Sequence, residues 1–107
     1  MEHDMILVKE LYDFICKSEG IKKASLYFKR VGKGGACCSY SGKKVYSIQI
    51  DLSRICIGAA YALCHEVAHQ ILITSDGNAT HNKAFKKEEQ RLVKAYANCS
   101  IARKLIF

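Results

Sequence analysis

At 107 residues, half of them hydrophobic, the chain can bury one modest core and has no room for a second. It contains no proline and no Ser-rich linker, so residues 1–107 are expected to form a single domain, and no apolar run approaches the roughly 20 residues of a membrane span. The formal net charge of +7 argues for anionic partners, while the acidic opening Met1-Glu2-His3-Asp4 is unlike the basic start of a signal peptide, so the expected compartment is the cytoplasm.

In chain order, Asp4, Leu7, Leu11, Phe14, Ile15 and Ser18 describe one face of an opening helix that Gly20 should cap. Ser25–Val31 alternates and is rich in strand formers. Gly32-Lys33-Gly34-Gly35 then turns the chain, and Ala36–Tyr40 is expected to pair back. A second turn, Ser41-Gly42-Lys43-Lys44, leads into Val45–Leu52, where Tyr46, Ile48, Ile50 and Leu52 make an apolar face. Neither Gly-Lys cluster has the spacing of a phosphate-binding loop. Beyond them Ala60, Leu63, Cys64, Val67 and Ile71 form the apolar stripe of another helix. The turn-forming run Thr74-Ser75-Asp76-Gly77-Asn78 should end it. A last helical pattern starts near Thr80, with His81, Phe85, Leu92, Tyr96 and Cys99 on its inward face. Helix, three strands, helix, helix predicts an α+β fold with helices on one face of a small antiparallel or mixed sheet.

The chemistry concentrates in His65-Glu66-Val67-Ala68-His69. Residues four apart on a helix lie one above the other, so His65 and His69 can aim two imidazoles at one metal ion. Glu66 lies beside them as a general base for a metal-activated water, which is the spacing of zinc peptidases. Chance alone yields such a motif in about one chain per hundred of this composition, so context must decide. Here both histidines and the carboxylate lie opposite the apolar stripe, and burying them unpaired would be costly. A catalytic zinc takes three protein ligands, and His81, in the first turn of the last helix, is the natural third.

His65-Glu66-Val67-Ala68-His69, eleven intervening residues, then His81-Asn82-Lys83-Ala84-Phe85 resembles the SprT-like metallopeptidases. Tyr46–Ser53 is similar to that family's strand and turn leading into the active-site helix, and the likeness covers about half the chain, residues 45–97. The resemblance implies a minimal zincin-like domain, with Zn2+ on His65, His69 and His81, Glu66 as catalytic base, and a protein or peptide substrate. It also implies that the strand entering the active-site helix is an exposed edge able to hold an extended peptide. Two features depart from the family: Asn82 stands where glycine is usual, and no CxxC pair supplies a zinc ribbon. Tyr96, Tyr61 and Arg103 are candidate transition-state stabilisers, and Glu88 or Glu89 would have to replace His81 as ligand in a site with a glutamate third ligand.

The six cysteines, Cys16, Cys37, Cys38, Cys56, Cys64 and Cys99, are expected as reduced thiols, most of them small buried hydrophobes. Gly35-Ala36-Cys37-Cys38-Ser39 faintly resembles the cysteine motif of peptide deformylase, in which a thiolate completes an HExxH zinc site. Charge is uneven. Residues 17–44 hold Lys17, Lys22, Lys23, Lys29, Arg30, Lys33, Lys43 and Lys44 against Glu19 alone. Lys83, Lys87, Arg91 and Lys94 line the outer face of the last helix, as a solvated surface or as contacts to DNA phosphates. The SprT-like family's association with protein–DNA crosslinks favours DNA. The rival readings are a nucleic-acid-binding module with a structural zinc and a partner-binding protein without turnover; an intact Glu66 argues against both.

Overall fold

A computed structural model describes residues 2–30, 34–55 and 57–106. Helix α1 (Glu2–Glu19) is followed by strands β1 (Ser25–Phe28), β2 (Ala36–Ser41) and β3 (Lys44–Ile50), then by helices α2 (Ala59–Asp76) and α3 (Lys83–Tyr96) and a 3-10 turn at Ala102–Lys104. The expected α+β order is what forms, with a mixed sheet: β1 runs parallel to β3 and β2 antiparallel to it, in the order β1-β3-β2. The Cα radius of gyration, 12.6 Å, is that of a compact domain of this length.

The strand leading to α2 is therefore central, not the exposed edge that the resemblance implied. The edge beside α2 is β2, which pairs with β3 instead of folding back on β1. Central placement follows from burial, since β3 is covered on both faces from Ser47 to Ile50. Ile48 and Ile50 enter the core, while Gln49 and Ser47 join Cys37 and Ser39 in a polar seam on the other face. Tyr46, expected on the apolar face, stands in solvent beside a register shift in the β2–β3 pairing. Strand β1 is shorter than expected, ending at Phe28; Val31, Gly32 and Lys33 lie outside the described residues, as do Met1, Cys56 and Phe107.

Helix α1 buries Asp4, Leu7, Leu11 and Ile15 as the pattern predicts and ends at Gly20, but Phe14 and Ser18 remain exposed. Helix α2 is buried nearly all round, packing on α1, α3, β2 and β3. It also runs further than its turn-forming residues suggest, to Asp76. The Thr74 hydroxyl donates to the Gln70 carbonyl at 2.8 Å and that of Ser75 to Leu72 at 3.4 Å, so these side chains are accommodated within the helix's own last turn. Gly77 then ends it at φ 76, a left-handed geometry that glycine adopts without penalty, with its N–H on the Ile73 carbonyl. Between β3 and α2 the chain folds over Gly35, where an added Cβ would lie 2.8 Å from the Ile55 nitrogen. Asp51 N–H donates to the Gly35 carbonyl at 2.7 Å, which anchors this loop to the start of β2.

Candidate metal centre

Helix α2 presents His65, Glu66 and His69, and the segment before α3 presents His81. The helix begins at Lys83 with Asn82 as its N-cap, so His81 precedes the helix instead of sitting in its first turn. Asn82 has a local role: its Oδ1 accepts the Phe85 N–H at 3.1 Å and the Asn78 side-chain amide at 3.0 Å. That cap fixes the angle at which His81 turns back over α2. Cys99 falls beyond the end of α3, leaving Phe85, Leu92 and Tyr96 as its buried positions.

The three histidines converge. One ring nitrogen of each lies within 4.8 Å of the others, and the Nε2 atoms of His69 and His81 are 3.0 Å apart. Their ring centroids form a near-equilateral triangle with sides of 4.9, 5.1 and 4.8 Å. Phe85, fully buried, packs against all three rings with centroid distances of 4.9, 4.3 and 4.9 Å. Burial and the adjacent His65 and His81 push the His69 pKa down to about 4, so its imidazole is neutral at neutral pH and keeps a lone pair for a metal. The group can hold a metal ion.

Glu66 is 3% exposed, and burial, with the negative charge of Glu89 adding, raises its carboxyl from 4.5 to about 7. Glu66 and the three histidines share a cavity of about 220 Å³ with Ala36, Cys37, Cys38 and Tyr40 of the edge strand. A second cavity, of about 310 Å³, adjoins the same His65, Glu66 and His81 from the side of Ile55, Ile57 and Ala62. The site is thus the middle of a cleft along β2, open on both sides. The face of α2 opposite its apolar stripe is not a surface; it is the cleft floor.

Other expectations divide. Among the described residues, none of Tyr61, Tyr96 and Arg103 lines the histidine cavity; Tyr96 instead donates its hydroxyl to Glu19 at 2.6 Å. The phenol that does line it is Tyr40, and nothing local in a sequence marks which residue of an edge strand meets a distant helix. Glu89 does not replace His81; its Oε2 lies 2.5 Å from Nδ1 of His65. Cys37 and Cys38 stand beside Glu66, yet the metal-ligand group contains no cysteine, and burial pushes Cys38 up to about 12, which keeps it protonated. The deformylase-like arrangement is therefore not assembled. Lys83, Lys87 and Lys94 are exposed, but Arg91 is held by Glu19, with its two terminal nitrogens 3.2 and 2.6 Å from the carboxylate, and also by Glu88. No helix among the described residues is long and apolar enough to cross a membrane.

Compared with family models, with curated proteins and with solved structures, the chain matches none. What defines it is an α+β fold with a metal-capable histidine triad, and the functional reading rests on that geometry.

Proposed function

We propose that the protein is a zinc-dependent endopeptidase, in keeping with the SprT-like resemblance of its motif. The observation that carries the reading is a buried glutamate sharing one cleft with three converging histidines beside the free edge of β2. A structural metal site has no use for such a carboxylate, and taking its charge out of water is costly. The donor set suits zinc: imidazoles about 2.0–2.1 Å from a tetrahedral ion place their nitrogens about 3.3 Å apart, near the 3.0 Å between His69 and His81, while the full group spans up to 4.8 Å and would draw together around an ion. Bound zinc supplies a Lewis acid that polarises a carbonyl and acidifies water.

The remaining work falls to the chain's own groups. Glu66, buried in the cleft beside the three histidines, is placed to take a proton from water and return it to the leaving amine. Tyr40 offers a phenol on the opposite wall as a donor to the oxygen that gains charge. The unpaired edge of β2 offers backbone groups to an extended substrate, and the two cavities accept side chains on either side of the scissile bond. The exposed Lys83, Lys87 and Lys94 support substrates held on DNA.

Two measurements test the reading. Purified protein should carry about one zinc per chain, lost on His65→Ala, His69→Ala or His81→Ala. Glu66→Gln should keep the zinc and the fold yet lose turnover of unfolded protein substrates by about 100-fold or more, because an amide cannot accept water's proton. Equal turnover by the variant would sink the mechanism. No turnover by either protein, with and without DNA, would leave a zinc-containing nucleic-acid-binding module.

A further inference from the structure

We propose that Glu89 is a positioning residue for the metal centre: it fixes His65 in the one tautomer that can ligate. The inference rests on the zinc reading of the site but not on peptidase activity. His69 and His81 turn their Nε2 atoms toward each other, so these two members of the triad converge through Nε2. A neutral imidazole has one N–H and one lone pair, and the group that meets the first nitrogen decides where the second points. For His65 that group is the Glu89 carboxylate, 2.5 Å from Nδ1. A carboxylate only accepts, so Nδ1 carries the proton and the Nε2 lone pair is left for the ion.

The arrangement is built into α3. Phe85 and Glu89 are four residues apart, on one face of the helix. Phe85 supports all three rings from below, and one turn further on Glu89 holds His65 from the side. Among the described residues His65 is the one member of the triad with a carboxylate on its ring. Both side chains are about 70% buried (28% and 30% exposed), so water competes weakly for the contact. Glu88, the neighbouring residue, is engaged elsewhere with Arg91 and serves as an internal control. Removing such an outer partner of a ligating histidine lowers metal affinity by about 10- to 100-fold in known zinc sites.

The test is zinc affinity by chelator competition on the full chain, for wild type, Glu89→Gln, Glu89→Ala, Glu88→Gln and His65→Ala. Circular dichroism of the zinc-free proteins checks folding, and visible spectra of the cobalt(II)-substituted forms report coordination. Glu89→Ala should bind zinc about 10- to 100-fold more weakly with a tetrahedral cobalt spectrum preserved. Glu89→Gln, whose amide oxygen still accepts the Nδ1 proton, should lose less, and Glu88→Gln nothing. Should Glu89→Ala not fold, a weakened Glu89→Gln beside an unchanged Glu88→Gln supports the inference on its own. Unchanged affinity in Glu89→Gln and in any folded Glu89→Ala overturns it, leaving a contact that merely joins two helices. A loss as complete as that of His65→Ala, with an altered cobalt spectrum, also overturns it, because Glu89 would then be a ligand. Wild type that binds no zinc removes the inference and the proposed function together. Glu89-dependent zinc binding without any turnover supports the inference and removes the peptidase alone.

Discussion

Glu66 is a carboxyl held 3% exposed, and the cost of its burial can be read through pH. Its carboxyl titrates at about 7 in the folded chain against 4.5 when free, so between those values the folded state holds a proton that the unfolded state has lost. Stability is therefore full below about 4.5 and falls as pH rises through 7, by on the order of 3 kcal/mol. His69 has the opposite sign. Its pKa is depressed from 6.5 to about 4, so its contribution is present above 6.5 and is lost as pH falls toward 4. Because the two slopes oppose each other, the comparison must be a difference between variants. In metal-free protein, Glu66→Gln should gain on wild type from about pH 5 to pH 7 and level off above it, by a few kcal/mol in denaturant unfolding. Parallel stability curves would show that the buried carboxyl is not strained. A carboxylate that destabilises the empty fold, beside imidazoles kept neutral, is an arrangement that makes sense for a site that works on a ligand.

At the scale of elements, α3 is positioned at both ends of its buried face. Toward its start, Asn82 caps the helix and Phe85 enters the triad. Toward its end, Glu19 at the close of α1 accepts from Arg91 and from the Tyr96 hydroxyl, while Phe14 packs edge-on against Tyr96 at 5.9 Å. Arg91 holds the Glu19 carboxyl below its usual range, so this tie contributes above that range and is lost as acid protonates it. Glu19→Gln should cost about 1 kcal/mol at pH 7, a value kept small by the half-exposed Arg91, and nothing at a pH where Glu19 is protonated in both states. Chemical denaturation at the two pH values checks it; an equal loss at both would mean packing, not charge, is responsible. This tie also shows the reach of sequence reasoning here. Period-3.6 stripes located α1, α2 and α3, and the HExxH spacing with His81 located the ligands, because both are local patterns. Strand order was not local: Tyr46–Leu52 reads as one apolar face, yet the residues between, Ser47 and Gln49, are buried too, which is what a central strand requires. Arg91 read as an outward cation because its partner lies 72 residues away. Glu89 read as a rival ligand for the same reason, since helix spacing places it on α3 without saying which histidine it meets.

The whole molecule is basic, and among the described residues its charge is arranged around a cleft lined by no lysine or arginine. Among the described residues, nothing lining either cavity is basic apart from the histidines. The cations stand outside: Lys22, Lys23, Lys29, Arg30, Lys43 and Lys44 on the β1 and β2–β3 side, and Lys83, Lys87 and Lys94 on α3, all exposed. With Arg91 committed to Glu19 and Glu88, the lysines of α3, Lys83, Lys87 and Lys94 on the outer face and Lys86 beside them, are what the helix can offer a polyanion. Phosphate contacts of this kind release counterions, so log affinity falls with log salt by about 0.9 per contact on duplex and about 0.7 on single strands. No base-reading motif is present in the sequence, and binding should accordingly show little sequence preference. Replacing Lys83, Lys87 and Lys94 together by Gln should flatten the salt slope on duplex by about 2–3 and leave zinc content unchanged. A surface that is merely solvated gives another result: little binding near physiological salt, and the same slope in both proteins. Titrations against duplex and single-stranded DNA at several salt concentrations separate the two. Should the triple variant bind with an unaltered slope, the outer face of α3 is not the contact surface, and a Lys22, Lys23, Lys43 and Lys44 variant then tests the sheet side, with Lys86→Gln as the control on α3. If neither set changes anything and wild type does not bind, DNA leaves the account, and a peptidase acting on free protein chains is what the cleft still supports.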